Sequence, residues 1–200
     1  MRYVIMANGE ARRWGNYLGK PKHLVEITEG ESLLARTVRL VHAQDPHAEV
    51  IISAHDERYA VEGAQLYTPP VRDLEIDRFV PELLDRPCCY LYGDAYYTEE
   101  SIRTICRTST SHDMLFFGNA GRIFAVKMLN PGYVRQLLDE LRRNIVAGKI
   151  DDCKGWQLYH RYLGMELAGK AIADDFVFIE DATTDFNTPD EYLSFIRNRK

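Results

Sequence analysis

The chain has 200 residues, 46% hydrophobic and 28% charged, with a formal charge of −5. That length suits a single domain, over residues 1–200, with one real core. The acidic balance argues against a protein that binds nucleic acid nonspecifically, because such binding needs a net basic face. Cys88, Cys89, Cys106 and Cys153 form no C-x-x-C pair and the six histidines no H-x-x-x-H pair, so neither a zinc site nor a disulfide framework is expected. The cysteines read as reduced thiols. No apolar run approaches the roughly 20 residues of a membrane span, and "RYVIMA" (2–7) is too short for a signal segment. The expectation is a soluble, cytoplasmic protein with no nucleic-acid or membrane partner.

In chain order, the first strand is expected over 2–7. A helix follows in "SLLARTVRLVHAQ" (32–44), where apolar residues recur at three and four. Strands are expected at 49–55, 64–67 and 88–94, rich in Val, Ile and Tyr and nearly continuous in apolar residues. Helices are expected over 73–86, where Pro81 breaks or starts a turn, and over 99–107. A strand pair follows at 114–118 and 122–128. The helix in 132–146 has Val134, Leu137, Leu138, Leu141 and Ile145 on one face. The last strand is expected over 176–181, and a last helix over 188–198 with Thr188 as N-cap, Pro189 in the first turn and Glu191 closing a capping box. Continuous apolar strands suit burial on both sheet faces, so the fold class is α/β: a three-layer α/β/α sandwich around a mostly parallel central sheet.

In such folds ligands sit outside the carboxyl ends of the strands. Three motifs fall there. "MANGEARRWGNYLGKPKHLVE" (6–26) follows the first strand with Gly9 and the cations Arg12, Arg13, Lys20 and Lys22, suited to gripping phosphate. It is no P-loop: Gly15 and Gly19 are one residue too close, and Pro21 follows Lys20. Gly93-Asp94 ends the strand at 88–92 and places a carboxylate at the sheet rim, a natural Mg2+ ligand. Asp185 and Asn187 in "DATTDFNTPDEY" (181–192) are two apart, so in extended chain they point to one side. In "IDDCKGWQLYH" (150–160), Lys154 suits a second phosphate, while Trp156 and Tyr159 suit a sugar or a cation. Each motif alone has a structural alternative: a basic surface loop, a turn Asp, a polar loop before a capped helix, and core aromatics at helical spacing.

Together the motifs resemble the nucleotidyltransferases of GT-A-like fold, which act on sugar phosphates, phosphocholine or the molybdenum cofactor. That family opens with a strand and L-A-A-G-x-G-x-R-[ML], then P-K-x-L; the matching residues are Met6-Ala7-Asn8-Gly9-Glu10-Ala11-Arg12-Arg13-Trp14 and Pro21-Lys22-His23-Leu24. The family's strand-end G-D matches Gly93-Asp94, and its late D-x-[DN]-T-P-E-D-Y matches "DFNTPDEY". Order and spacing agree along essentially the whole chain. The resemblance implies a nucleotide loop of Ala7, Asn8, Gly9, Glu10, Arg12 and Arg13. It implies Arg13 on the β,γ-phosphates, Lys22 at the transferring α-phosphate, and Asp94, Asp185 and Asn187 around Mg2+. Lys154 and Trp156 fall to the acceptor, with Tyr96, Tyr97 and Tyr159 as further aromatic candidates. The chain departs from the pattern at Asn8, Ala11 and Trp14. Ala11 replaces a glycine, and alanine is strained where φ must be positive, so a different loop path is expected.

The implied reaction is transfer of a nucleoside monophosphate from an NTP to a sugar phosphate or phosphocholine, releasing pyrophosphate. No G-x-S-x-G is present, and this chemistry needs none. The alternatives are a degenerate nucleotide-binding protein and an NDP-sugar glycosyltransferase. Against the last, the strand end reads Asp94-Ala95-Tyr96 and lacks a D-x-D.

Overall fold

The computed structural model describes residues 1–9, 11–70 and 73–198. The first strand, β1 (Arg2–Met6), is followed by a short hairpin, β2 (Glu26–Thr28) and β3 (Glu31–Ser32), that leads into α1 (Leu33–Gln44). Ser32 caps α1, its hydroxyl accepting from the Ala35 amide at 3.1 Å. Next come β4 (Glu49–Ser53), β5 (Gln65–Tyr67), β6 (Cys88–Tyr92), the two-residue β7 (Ala95–Tyr96) and α2 (Glu99–Arg107). The second half holds β8 (Met114–Asn119), β9 (Arg122–Met128), α3 (Pro131–Val146), α4 (Gly155–Leu163), β10 (Phe176–Phe178), β11 (Thr184–Asp185) and α5 (Pro189–Asn198).

Seven strands form one sheet in the order β10-β8-β9-β6-β1-β4-β5. β1 lies between β4 and β6 and is parallel to both. β5 and β10 also pair parallel to their neighbours; only β9 runs against the rest, in a hairpin with β8. The sequence expectation of a mostly parallel sheet holds.

Successive residues of β1 serve opposite faces, as the two-residue period requires. Tyr3 and Ile5 pack with Leu34, Val38, Ile102 and Ile105 of α1 and α2. Val4 and Met6 pack with Val134, Leu138, Leu158 and Tyr159 of α3 and α4. These two cores make the three layers. A third, smaller cluster of Trp14, Val25, Ile27, Leu33, Tyr96, Phe186 and Tyr192 joins the loop after β1 to β11 and α5. It matters most for function, because it draws two distant parts of the chain to one edge of the sheet. Trp14, bulky for its motif position, is its anchor: the indole N–H donates to the Lys20 carbonyl at 2.8 Å and the ring meets Tyr192 edge-on. Tyr192 in turn donates to the Glu26 carbonyl at 2.8 Å.

One expected helix is not formed. Residues 73–86 make two single turns, Glu75–Arg78 and Pro81–Leu83. Pro81 has no amide to continue a helix and biases Val80 away from helical geometry. The Asp77 carboxylate accepts from the Leu74 amide at 2.9 Å and closes the first turn on itself. The apolar residues Ile76, Phe79, Val80, Leu83 and Leu84 are nonetheless buried. Conversely α4 was legible only as aromatics at helical spacing. Among the described residues no helix is long and apolar enough to cross a membrane, and all four cysteines are free thiols.

Candidate functional site

The carboxyl ends of β1 and β6 lie side by side, and the chain leaves β6 through a tight contact. The Gly93 amide donates to the Met6 carbonyl at 3.0 Å, and a Cβ on Gly93 would sit 2.6 Å from that oxygen. Only glycine fits there. Asp94 follows at once. β7 then pairs antiparallel with β11, with Asp185 opposite Ala95, and the Phe186 amide donates to the Asp94 carbonyl at 3.1 Å. This short ladder sets the Asp94 and Asp185 carboxylates within electrostatic reach across 91 residues of chain. The Asn187 side-chain amide donates to Asp185 at 3.3 Å, so the pair expected to share one side does so. Beyond it the Glu191 carboxylate accepts from the Asn187 and Thr188 amides at 2.6 and 3.0 Å, the expected capping box of α5.

Each of these three oxygen-bearing groups meets a cation. Lys22 donates to Asp94, both side chains largely buried. Arg13 donates to the Asn187 side-chain oxygen at 2.8 Å. Arg122 places its Nε 2.8 Å from Asp185 and donates to the Thr184 hydroxyl at 2.7 Å. Burial alone would raise the Asp94 pKa, but the charge of Lys22, helped by Arg78, holds it below the usual carboxylate range. Asp185 goes the other way: burial and then the neighbouring Asp94 charge push it up, against the opposing pull of Arg122. His23 is buried beside Lys22, and burial followed by the Lys22 charge lowers it to about 3, so it is neutral.

A cavity of about 820 Å³ opens over these groups. Its wall includes Asn8, Gly9, Arg12, Arg13, Lys22, Asp94, Lys154, Trp156, Asp185 and Asn187, so residues from four separate motifs meet in one place. Two candidates, Ala7 and Lys20, fall elsewhere. Ala7 is buried and extends the sheet, its amide donating to the Ser53 carbonyl at 2.9 Å, and it forms no part of the wall. Glu10 lies outside the described residues. Lys20 also misses the cavity: it is exposed and pairs with Glu26 at 3.2 Å. The further aromatic candidates belong to cores instead. Tyr159 is fully buried and binds the Asp174 carbonyl and the Ala173 amide, each at 2.8 Å. Tyr97 is buried with its hydroxyl on the Phe124 carbonyl at 2.6 Å, and Tyr96 packs between Arg36 and Phe195.

Gly9 works differently from its expected role. Its φ is not positive; a Cβ there would lie 2.7 Å from the Arg78 guanidinium, so glycine makes room for that side chain. The positive φ falls on Ala11 instead, at 48°. The expected detour of the loop is not taken: alanine adopts the left-handed conformation, at a typical cost of about 1–2 kcal/mol. Arg78, Arg122, Lys170 and His23 also line the cavity and were not singled out from sequence. His23 sits inside the matched P-K-x-L motif, so that signal was available; Arg78, Arg122 and Lys170 carry no local pattern.

Asp94, Asp185 and Asn187 offer two carboxylates and an amide oxygen, all hard donors. Among the described residues no group of three or more His, Cys, Asp or Glu converges as a metal cage. A pair of carboxylates beside an amide oxygen suits Mg2+, which takes one or two carboxylates and completes its shell with water and phosphate oxygens.

No protein-family model matches the sequence, and no curated protein matches it by sequence. Solved structures do match. The CTP:phosphocholine cytidylyltransferase from Streptococcus pneumoniae superposes with a TM-score of 0.61 at 11% identity, covering 100% of this chain and 99% of that one. A structure described as a glucose-1-phosphate thymidylyltransferase from Bacillus anthracis gives 0.69 at 10% identity, covering 99% and 94%. The inositol-1-phosphate CTP transferase from T. maritima gives 0.60 at 8% identity, covering 98% and 94%. The chain therefore has the GT-A-like fold in which these nucleotidyltransferases are built.

Proposed function

We propose that this chain, read as one nucleotidyltransferase-like domain over residues 1–200, transfers a nucleoside monophosphate from an NTP to a phosphorylated small acceptor in a Mg2+-dependent reaction. The observation that carries this reading is the meeting of Asp94, Asp185 and Asn187 with Arg13 and Lys22 in one cavity at the carboxyl edge of the sheet. The shared fold agrees with it.

In this reading Asp94 and Asp185, with the Asn187 oxygen beside them, hold Mg2+. The ion supplies charge neutralisation at the phosphate oxygens of the NTP. Arg13 and Lys22 leave their present oxygen partners for the triphosphate, Arg13 at the β,γ-phosphates and Lys22 at the α-phosphate. Asn8, Gly9 and Arg12 shape the wall against the nucleotide. An oxygen of the acceptor phosphate forms the new bond to the α-phosphorus, and the bond to the β-phosphate oxygen breaks, its electron pair leaving with pyrophosphate. The acceptor is already anionic, so no base and no covalent intermediate are required. Catalysis then rests on positioning and charge, which is what fixed cations beside carboxylates supply.

The test is thermal unfolding with each of the four NTPs, with and without Mg2+, on the wild type and Asp94→Ala. Ligand at 100 times Kd adds about 2.7 kcal/mol. For a chain of this size that is a Tm rise of roughly 5–10 °C. A rise with one NTP, dependent on Mg2+ and lost in Asp94→Ala, supports the reading, and pyrophosphate release with added acceptors completes it. Full binding and turnover in Asp94→Ala refutes the assigned metal residues. Binding without turnover for any acceptor favours a binding protein.

A further inference from the structure

The acceptor end of the cavity has a chemistry of its own. α4 begins beside the cavity, with Lys154 at its N-cap and Trp156 in its first turn. Trp156 is only 8% exposed. Phe176 stacks on the indole with centroids 5.8 Å apart and an interplanar angle of 11°. The Lys170 ammonium sits over the same indole, 6.0 Å from its centroid, and donates to the Gly121 carbonyl at 2.6 Å. Arg122 lines the same cavity as Trp156 and Lys170.

Two consequences follow. The position over the indole that a quaternary ammonium needs is already taken by an ammonium. And the indole N–H donates to no protein acceptor among the described residues and is not among their enclosed unpartnered polar atoms, so it is open to a ligand at the cavity wall. The wall here therefore offers donors and positive charge. It suits hydroxyl and phosphate oxygens, and it repels a trimethylammonium. The wall as a whole carries seven Lys and Arg side chains against four carboxylates among the described residues, on a chain whose net charge is −5.

We infer that the acceptor is a hydroxylated phosphate ester, a sugar or polyol phosphate, and that Lys170 and the Trp156 N–H select it over phosphocholine. The inference rests on the proposed nucleotidyltransferase activity. In this role the Trp156 face is taken by Phe176 and Lys170, and the acceptor meets the donor at its edge.

The experiment is calorimetric titration of the 200-residue chain with glucose 1-phosphate, phosphocholine and inorganic phosphate, each with saturating Mg2+ and the best-binding NTP's non-hydrolysable analogue. Wild type, Lys170→Ala and Trp156→Phe are compared, and thermal shifts with Mg2+ and the NTP alone are recorded for each. Glucose 1-phosphate is expected to bind at least tenfold more tightly than the other two. Lys170→Ala should remove most of that preference, and Trp156→Phe should weaken glucose 1-phosphate several-fold while leaving the NTP shift unchanged. Tighter or equal binding of phosphocholine, equal binding of inorganic phosphate, binding of no acceptor, or unchanged preference in Lys170→Ala overturns the inference. Those results with an intact NTP shift sink the acceptor assignment alone. Absence of any NTP shift sinks the parent activity, and the assigned acceptor role with it.

Discussion

Lys22→Met should reveal how the site is charged before any ligand arrives. Lys22 and Asp94 have side-chain exposures of 10% and 14%, so the pair is close to buried. Removing one partner of a buried pair typically costs 3–5 kcal/mol, because the other charge is left uncompensated. Here the open cavity lets water approach and Arg78 adds some positive charge, which favours the lower end, about 3 kcal/mol. For a 200-residue chain that is a Tm drop of roughly 6–12 °C. The pH dependence gives the sharper check. In the wild type the Asp94 pKa is depressed, so its contribution is present above the unfolded value and lost as pH falls through the folded one. Without Lys22, burial and Asp185 push Asp94 upward, and protonation relieves the penalty. The gap between variant and wild type should be largest near neutral pH and shrink in mild acid. Urea unfolding followed by tryptophan fluorescence at pH 7.5 and 4.5 measures both. A gap below about 1 kcal/mol at pH 7.5, or one that does not change with pH, would refute the buried pair.

Other outcomes are equally concrete. Ala11→Gly relieves a left-handed alanine and should stabilise the chain by up to about 1 kcal/mol in the same unfolding assay. Gly9→Ala pushes on the flexible end of Arg78, so stability should change by less than about 1 kcal/mol while nucleotide affinity falls several-fold by titration. His23 should remain neutral at pH 5 by NMR; because its folded pKa lies below the unfolded value, the chain loses stability as pH falls below about 6.5, and His23→Gln should flatten that slope. Cys88 and Cys89 are buried with their thiol pKa pushed up, Cys88 to about 12, so neither should react with an aromatic disulfide reagent until the chain unfolds.

The layered architecture was readable because it depends on local signals. Apolar runs of Val, Ile, Tyr and Phe located all seven strands of the sheet, and three-and-four periodicity located α1 and α3. Gly93-Asp94 and the capping box at Thr188 were also local, since a strand-end glycine and a helix start need only their neighbours. The 73–86 segment failed for the opposite reason: its apolar spacing imitates a helix, while Pro81 and the Asp77 cap divide it into turns.

What sequence could not supply was the pairing of charges. Nothing near Arg122 indicates that it meets Asp185, or that Arg13 meets Asn187 across 174 positions, because those contacts are made by β7 pairing with β11 and by the Trp14–Tyr192 cluster. Trp156 and Tyr159 look alike in sequence, both aromatics on one helix. Only packing separates them: Tyr159 is fully enclosed with its hydroxyl bound, and Trp156 reaches the cavity wall under Lys170. Residue type and spacing thus determined which functional groups this chain brings to the carboxyl edge of the sheet. Tertiary structure decided which charges neutralise one another and which aromatic remains at the surface of the site, because both depend on distances between segments far apart in the chain.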